Sequence, residues 1–391
     1  MDKGQAVNRP LPFLEELAVE RLTLLLVAVL LLCGACTEAQ PSPEREQVIA
    51  PFKLGTFEHD GTPFVGIVLD ESSVIHLGEA DAAIEAPASR AEMPADMRDV
   101  ISRYDHGVRQ RIGEVLATLS EMNDGDRPDW VYDLAELRVL PPVVYPMTML
   151  NMAVNYREHD IEMAAVREGA PDQSVPTGGE ALPGTESAPG IWERDPDDPR
   201  WNPYMFLKAT ASIIADGEPI RIPSGRDRIE WECEMAIVIG DTARRVPPQR
   251  ASDHIFGYTL QNDVSDRGGR GDTRYGSDWL VTKSHDTFAP LGPFITPKEF
   301  VPDPHALGVW FILNGEVLQE GSTAQMIHTV EEMLSYGSNL LTLRPGDIIA
   351  TGTPPGSGSA RTPPIFLQPG DVSVCSYEGI GTLTNPIEGV R

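Results

Sequence analysis

Residues 230–240 read Glu-Trp-Glu-Cys-Glu-Met-Ala-Ile-Val-Ile-Gly. From Met235 to Ile239 every position is apolar. A strand alternates its side chains between two faces, so an unbroken apolar run marks a strand buried on both. The same alternation puts Glu230, Glu232 and Glu234 on one face, at steps of roughly 7 Å. Glu234 runs directly into the buried part. Carboxylates left unpaired there are costly, because burial removes the water that stabilises their charge. A hard divalent cation resolves that cost, since Mg²⁺, Mn²⁺ and Ca²⁺ prefer carboxylate oxygen. The alternative is an acidic strand end left in solvent, and Glu-x-Glu taken by itself favours that alternative.

The surrounding chain is compatible with a buried strand. Of 391 residues 41% are hydrophobic and 23% charged, a globular composition that excludes wholesale disorder. Lys and Arg number 31 against 59 Asp and Glu, a formal charge of −28. Phosphate backbones need clustered cations, so nucleic acid is excluded as the main partner, as is an anionic membrane surface. The 35 Gly and 35 Pro point to many turns and short strands. The four cysteines are too few for a disulfide scaffold, and nothing in their spacing says whether Cys233 and Cys375 pair.

Two units follow from the patterning, giving an α+β, mostly β fold. Residues 52–77 alternate apolar and polar side chains and are broken at His59-Asp60-Gly61, where Asp-Gly signals a hairpin. Val108, Ile112, Val115, Leu116 and Leu119 recur at helical spacing. Pro141-Pro142 then closes a small amino-terminal α+β domain, residues 48–142. Residues 143–391 carry short apolar runs at 220–222, 235–239, 255–260, 309–313 and 347–350, a second hairpin signal at Asn314-Gly315, and one helix near 330–336. Residues 169–199 are acidic and rich in Pro and Gly, and read as a long surface loop.

The amino terminus reads as a targeting segment. Leu22 to Leu32 are eleven uncharged residues, too short to span a bilayer but suited to a signal core. Cys33-Gly34-Ala35-Cys36 follow. Residues 1–36 are therefore expected to be a lipoprotein-type signal with Cys36 lipidated, and residues 37–47 a disordered tether. The location implied is the cell envelope or periplasm, with the lipid on Cys36 as the membrane anchor. The cytoplasm is the alternative if the segment is not used.

Further groups with chemical potential lie along the second unit. Asp263 sits in Gly257-Tyr-Thr-Leu-Gln-Asn-Asp-Val-Ser-Asp-Arg267, at the end of an apolar run. Lys283 begins Lys-Ser-His-Asp-Thr-Phe-Ala-Pro-Leu-Gly-Pro. Thr353 lies in Gly352-Thr353-Pro354-Pro355-Gly356. His159 and Glu162, three residues apart, share one face of a helix.

In this order, with Met205-Phe206-Leu207-Lys208 and Asn314-Gly315-Glu316, these segments resemble the fumarylacetoacetate hydrolase family over about residues 137–386. The resemblance implies a mixed β-sandwich roll that forms a homodimer. It implies Mg²⁺ or Mn²⁺ on Glu232, Glu234 and Asp263, and a His159–Glu162 dyad that moves a proton or activates water. It implies that Lys283 polarises the substrate and that Arg267, Arg270 and Thr353 contact it. Met152 stands where fumarylacetoacetate hydrolase itself has a fourth carboxylate, which points to the wider family. Asp266-Arg267-Gly268 and Arg270 also depart from the usual pattern beside the substrate. The activity implied is metal-dependent hydrolytic or lytic cleavage of a carbon–carbon bond in a 2-oxo or diketo acid, acylpyruvate- or fumarylacetoacetate-like, through a metal-held enolate. The alternatives are isomerisation or decarboxylation of 2-hydroxyhepta-2,4-diene-1,7-dioate, or decarboxylation of oxaloacetate. A non-enzymatic alternative is an envelope lipoprotein that binds a small carboxylic acid.

Overall fold

The computed structural model describes residues 50–390, apart from 71, 85–90, 123–126, 169–187, 194, 196, 272–273 and 275–277. The expected signal segment, its tether and most of the expected long loop lie outside the described residues.

The chain opens with an antiparallel meander, β1 (Lys53–His59), β2 (Thr62–Val68) and β3 (Ser73–His76). Asp60 and Gly61 turn between β1 and β2 with φ of 49° and 76°, the left-handed pair that a two-residue hairpin requires. The helix α1 (Val108–Glu121) follows, burying Val108, Ile112 and Val115. Next come β4 (Met149–Met152), the helix α2 (Arg157–Glu168) and β5 (Met205–Leu207). Three long antiparallel strands form the centre, β6 (Cys233–Ile239), β7 (Ile255–Asn262) and β8 (Ala289–Pro297), with the short helix α3 (Trp279–Lys283) before the last. A hairpin of β9 (Gly308–Leu313) and β10 (Glu316–Ser322) turns at Asn314-Gly315, both in the left-handed region. The helix α4 (Val330–Leu340), β11 (Ile348–Ala350) and a last hairpin, β12 (Val372–Tyr377) and β13 (Gly381–Gly389), complete the chain.

The strands assemble into a 12-stranded mixed sheet, a 5-stranded sheet and a two-stranded ribbon. In the large sheet β1 pairs with β8, followed in space by β7, β6, β11, β4 and β5. The smaller sheet runs β10, β9, β12, β13. The alternation within β6 sorts its side chains between two cores. Met235, Ile237 and Ile239 join a core with β9, β12 and α4. Ala236 and Val238 join a core with β1, α1 and the amino-terminal unit. Every residue of β6 is buried, as its apolar run predicts.

The described residues form one compact unit. The stretches on either side of Pro141-Pro142 are joined within it. The physical reason is shared hydrogen bonding: Leu54 of β1 pairs with Ile295 of β8, and Thr56 Oγ1 donates to the Pro142 carbonyl at 2.7 Å.

The join between β7 and β8 leaves no room for a side chain at Gly257. A Cβ there would sit 2.3 Å from the Thr296 carbonyl oxygen and 2.9 Å from Pro297 Cα, both main-chain atoms that cannot swing aside. Gly257→Ala is expected to cost about 1–3 kcal/mol of stability or more. Urea unfolding measures it, and an unchanged midpoint contradicts this packing.

Candidate metal centre

The register of β6 and β7 brings the carboxylates together. Cys233 lies opposite Asn262 and Glu234 opposite Gln261. Asp263, one residue past β7, thus comes level with Glu232, and its amide donates to the Glu232 carbonyl at 2.8 Å. Asn262 Oδ1 accepts from the Glu232 amide at 3.0 Å and locks this corner. All three side chains are buried, and a carboxylate oxygen from each lies within 4.8 Å of the others. Glu234 Oε2 accepts from the Gly352 amide at 2.8 Å, whereas its buried Oε1 has no hydrogen-bond partner. Buried polar atoms are nearly always partnered. A hard divalent cation is the partner that three converging carboxylates can share, so the donor set fits Mg²⁺ or Mn²⁺.

Cations surround the carboxylates. Lys283, the last residue of α3, places Nζ 2.7 Å from Glu232 Oε2 and 2.8 Å from Asp263 Oδ2. Asp278 caps that helix by accepting from the Val281 amide. Arg267 bridges Glu230 and Glu232. Lys208, just past β5, bonds Asp263 Oδ1 and the Val264 carbonyl. Burial opposes the charge of Glu232, but Lys283 and then Arg267 outweigh it and hold that carboxyl down to about 2. Glu234 moves the other way: burial, then the negative charges of Asp263 and Glu232, push it well above the carboxylate range. Burial pushes Lys208 down against the pull of Asp263. For Lys283 the opposing pull of Asp263 and Glu232 exceeds the effect of burial, and its ammonium is raised.

His159 and Glu162 come from α2. Asn155 anchors the start of that helix, donating to the Thr351 carbonyl at 2.8 Å and accepting from the His328 amide at 2.9 Å. His159 is buried, with Nδ1 3.6 Å from Glu162 Oε2. Both oxygens of Glu162 accept from the Gly356 amide, at 3.1 and 2.9 Å. Only glycine fits there: its φ is +103°, and a Cβ would sit 2.4 Å from the Leu318 carbonyl oxygen. One loop thus serves three carboxylates, with the amides of Gly352, Gly356 and Ser359 donating to Glu234, Glu162 and Glu230.

The structure brings Glu232, Asp263, Lys283 and Arg267 into direct contact and Glu234 within 4.8 Å of the other two carboxylates, and His159 adds to the field that holds Glu232 down. The other two expected substrate contacts, Arg270 and Thr353, have protein partners of their own. Arg270 is 32% exposed and faces Asp278 at 3.9 Å. The buried Thr353 hydroxyl donates to the Cys233 carbonyl at 3.1 Å and accepts from Gln319 Nε2 at 2.9 Å, so it ties β6 to β10. Cys233 also forms a disulfide with Cys375 of β12, fastening the ligand-bearing strand to the smaller sheet. Glu230 is buried beside the triad but belongs to Arg267 and the Ser359 amide. Lys208 had no role assigned from the sequence; a lysine directly after an apolar strand was the available signal.

The family model "Fumarylacetoacetate (FAA) hydrolase C-terminal" matches residues 148–388. The chain belongs to the fumarylacetoacetate hydrolase family and is an enzyme of that family. The oxaloacetate tautomerase fahd2, mitochondrial, of Xenopus laevis is 34% identical over 292 residues, 73% of this chain and 81% of the relative. The fumarylacetoacetate hydrolase of the psychrophile Exiguobacterium antarcticum is 28% identical, with a TM-score of 0.62 over 87% of this chain and 100% of that one. The maleylpyruvate hydrolase of Sphingobium sp. SYK-6, solved with manganese(II) and pyruvate, is 24% identical with a TM-score of 0.61 over 87% of this chain and 100% of that one, and shows the shared fold. Curated relatives are named as mitochondrial proteins, which overturns the expected envelope location and lipid anchor at Cys36. An apolar run is recognised by length and hydropathy, and neither property specifies a compartment. The non-enzymatic lipoprotein reading falls with it.

Residues beside α2 are held by a second ionic cluster. Arg200 pairs with Asp198 at 2.8 Å and with Glu332 of α4 at 2.7 Å, and Trp192 meets the His328 ring edge-on at 5.2 Å. Burial raises Glu332, but His328, Arg200 and the Thr329 amide outweigh it and hold the carboxyl down to about 2. A depressed carboxyl stabilises the fold above its ordinary value of 4.5, and that contribution is lost as the pH falls towards about 2. Thermal midpoints are expected to drop across that window. Glu332→Gln is expected to lower the neutral-pH midpoint and to flatten the drop. A parallel fall in both proteins contradicts the assignment.

Proposed function

We propose that this chain is a divalent-metal-dependent enzyme that interconverts the keto and enol forms of a short 2-oxo dicarboxylic acid of the oxaloacetate type. The observation that carries the reading is the convergence of Glu232, Glu234 and Asp263 around Lys283, beside the His159–Glu162 pair. The tautomerase named among the relatives supports it.

Glu232, Glu234 and Asp263 would hold Mg²⁺ or Mn²⁺, which supplies a Lewis acid to the 2-oxo group. Lys283 adds positive charge where the oxo oxygen gains electron density. Glu162 faces Nδ1 of His159 and leaves Nε2 to take a proton from the carbon next to the oxo group and to return it. Such general-base catalysis is typically worth about a hundred- to ten-thousand-fold. The Gly356 amide steadies Glu162 throughout. Burial of the carboxylates keeps bulk water from screening these charges.

Hydrolysis of a carbon–carbon bond in a diketo acid is the second reading, supported by the structural likeness to a fumarylacetoacetate hydrolase at 28% identity. There the same base would deprotonate water instead of carbon. NMR in deuterated water separates the two. With oxaloacetate and Mg²⁺ or Mn²⁺, the tautomerase reading expects rapid deuterium entry at the methylene carbon without cleavage, and loss of about a hundredfold or more in Glu232→Gln. Acylpyruvate fragments without exchange favour hydrolysis. Equal exchange in the wild-type and variant proteins sinks the metal-dependent reading.

A further inference from the structure

Two lysines touch Asp263, and their settings differ. Lys283 reaches Oδ2 from the end of a short helix, on the side where the three carboxylates converge. Lys208 reaches Oδ1 from behind, and its side chain has no exposure at all. Its Nζ is held by two oxygens, Asp263 Oδ1 and the Val264 carbonyl, and its own amide is fixed to the Met149 carbonyl at 3.1 Å. A fully buried ammonium is expensive to desolvate. A neutral donor would meet the same hydrogen-bonding need, so the charge itself calls for an explanation.

We infer that Lys208 is a positioning residue that withholds part of the Asp263 charge from the metal, so that the loaded centre stays positive enough to capture an anionic acid. The inference rests on the metal-dependent reading given above. Four buried carboxylates, Glu230, Glu232, Glu234 and Asp263, face three cations, Lys208, Lys283 and Arg267. With Glu234 ionised, as a metal ligand must be, one negative charge is in excess. A divalent ion turns that into one net positive charge, which favours a carboxylate ligand. Without Lys208 the loaded cluster is neutral. The ion is then held more strongly, and the pull on the incoming acid is gone. Lys208 also pins Asp263 from Oδ1, while Oδ2 faces the carboxylate cluster and Lys283.

Calorimetry with Mn²⁺ alone, and then with oxalate added to the Mn²⁺-loaded protein, tests this without turnover. Lys208→Met is expected to bind Mn²⁺ about tenfold more tightly and oxalate about tenfold more weakly than the wild type. The opposite signs are the signature of charge, since a residue that merely props up the fold would weaken both. Lys208→Gln keeps a donor for Asp263 and the Val264 carbonyl. It is the fallback if Lys208→Met does not fold, with both shifts expected in the same directions. If both affinities fall together, or neither changes, Lys208 is structural and the inference is overturned. If the wild type binds no Mn²⁺, the metal-dependent reading is what fails, and this inference goes with it.

Discussion

Glu232, Glu234 and Asp263 sit out of water with oxygens within 4.8 Å of one another, and charges of one sign repel strongly at that range unless cations face them. The rest of the centre follows from this repulsion. Lys283 enters from α3, Lys208 from the end of β5 and Arg267 from the ribbon that follows β7. The amides of Gly352 and Ser359 add partial positive charge from the loop after β11. Four separate parts of the chain must therefore arrive at one corner. The sheet order, with β6 between β7 and β11, is what lets them do so.

The metal corner and the acid–base pair are linked mechanically by that same loop. Gly352 holds Glu234 and Gly356 holds Glu162, four residues apart on a turn that only glycine can make at position 356. Asn155 closes the circuit by fixing the start of α2 to Thr351 and to the residue before the α4 cap. A displacement of the loop would therefore move Glu234 and Glu162 together. The disulfide and the Thr353 and Tyr377 hydroxyls all act on Cys233, between the two glutamates, and hold the ligand strand from its other face.

How much of this could be read from sequence depended on distance along the chain. The buried strand at Met235–Ile239, the two hairpins and the helices at Val108 and Val330 announce themselves within a few residues, through periodicity and turn chemistry. The grouping of Glu232, Glu234 and Asp263 came from the ordered family segments, since Glu-x-Glu by itself favours a solvated strand end. The partner of Lys208 was not legible, because Asp263 lies 55 residues away and nothing local to either residue records the contact. Arg270 and Thr353 show a different gap. Their family pattern names no partner, and here Arg270 faces Asp278 while the Thr353 hydroxyl donates to the Cys233 carbonyl. The join across Pro141-Pro142 was hidden because the pairing of β1 with β8 spans most of the chain.

The arrangement around Glu162 bears on which reaction such a centre runs. Deprotonation of carbon and attack by water both build charge on the 2-oxo oxygen, so the carboxylate triad and Lys283 serve either. They differ in what the base must hold. Hydrolysis needs an ordered water beside the imidazole, and a carboxylate free to orient it. Here one amide takes both Glu162 oxygens, and Oε2 also faces Nδ1 of His159. At 3.6 Å the carboxylate acts on the ring through its charge and not through a hydrogen bond, and one amide hydrogen leaves its oxygens lone pairs to spare. What would separate the two reactions is a water held beside the imidazole, and the Gly356 loop steadies Glu162 for either.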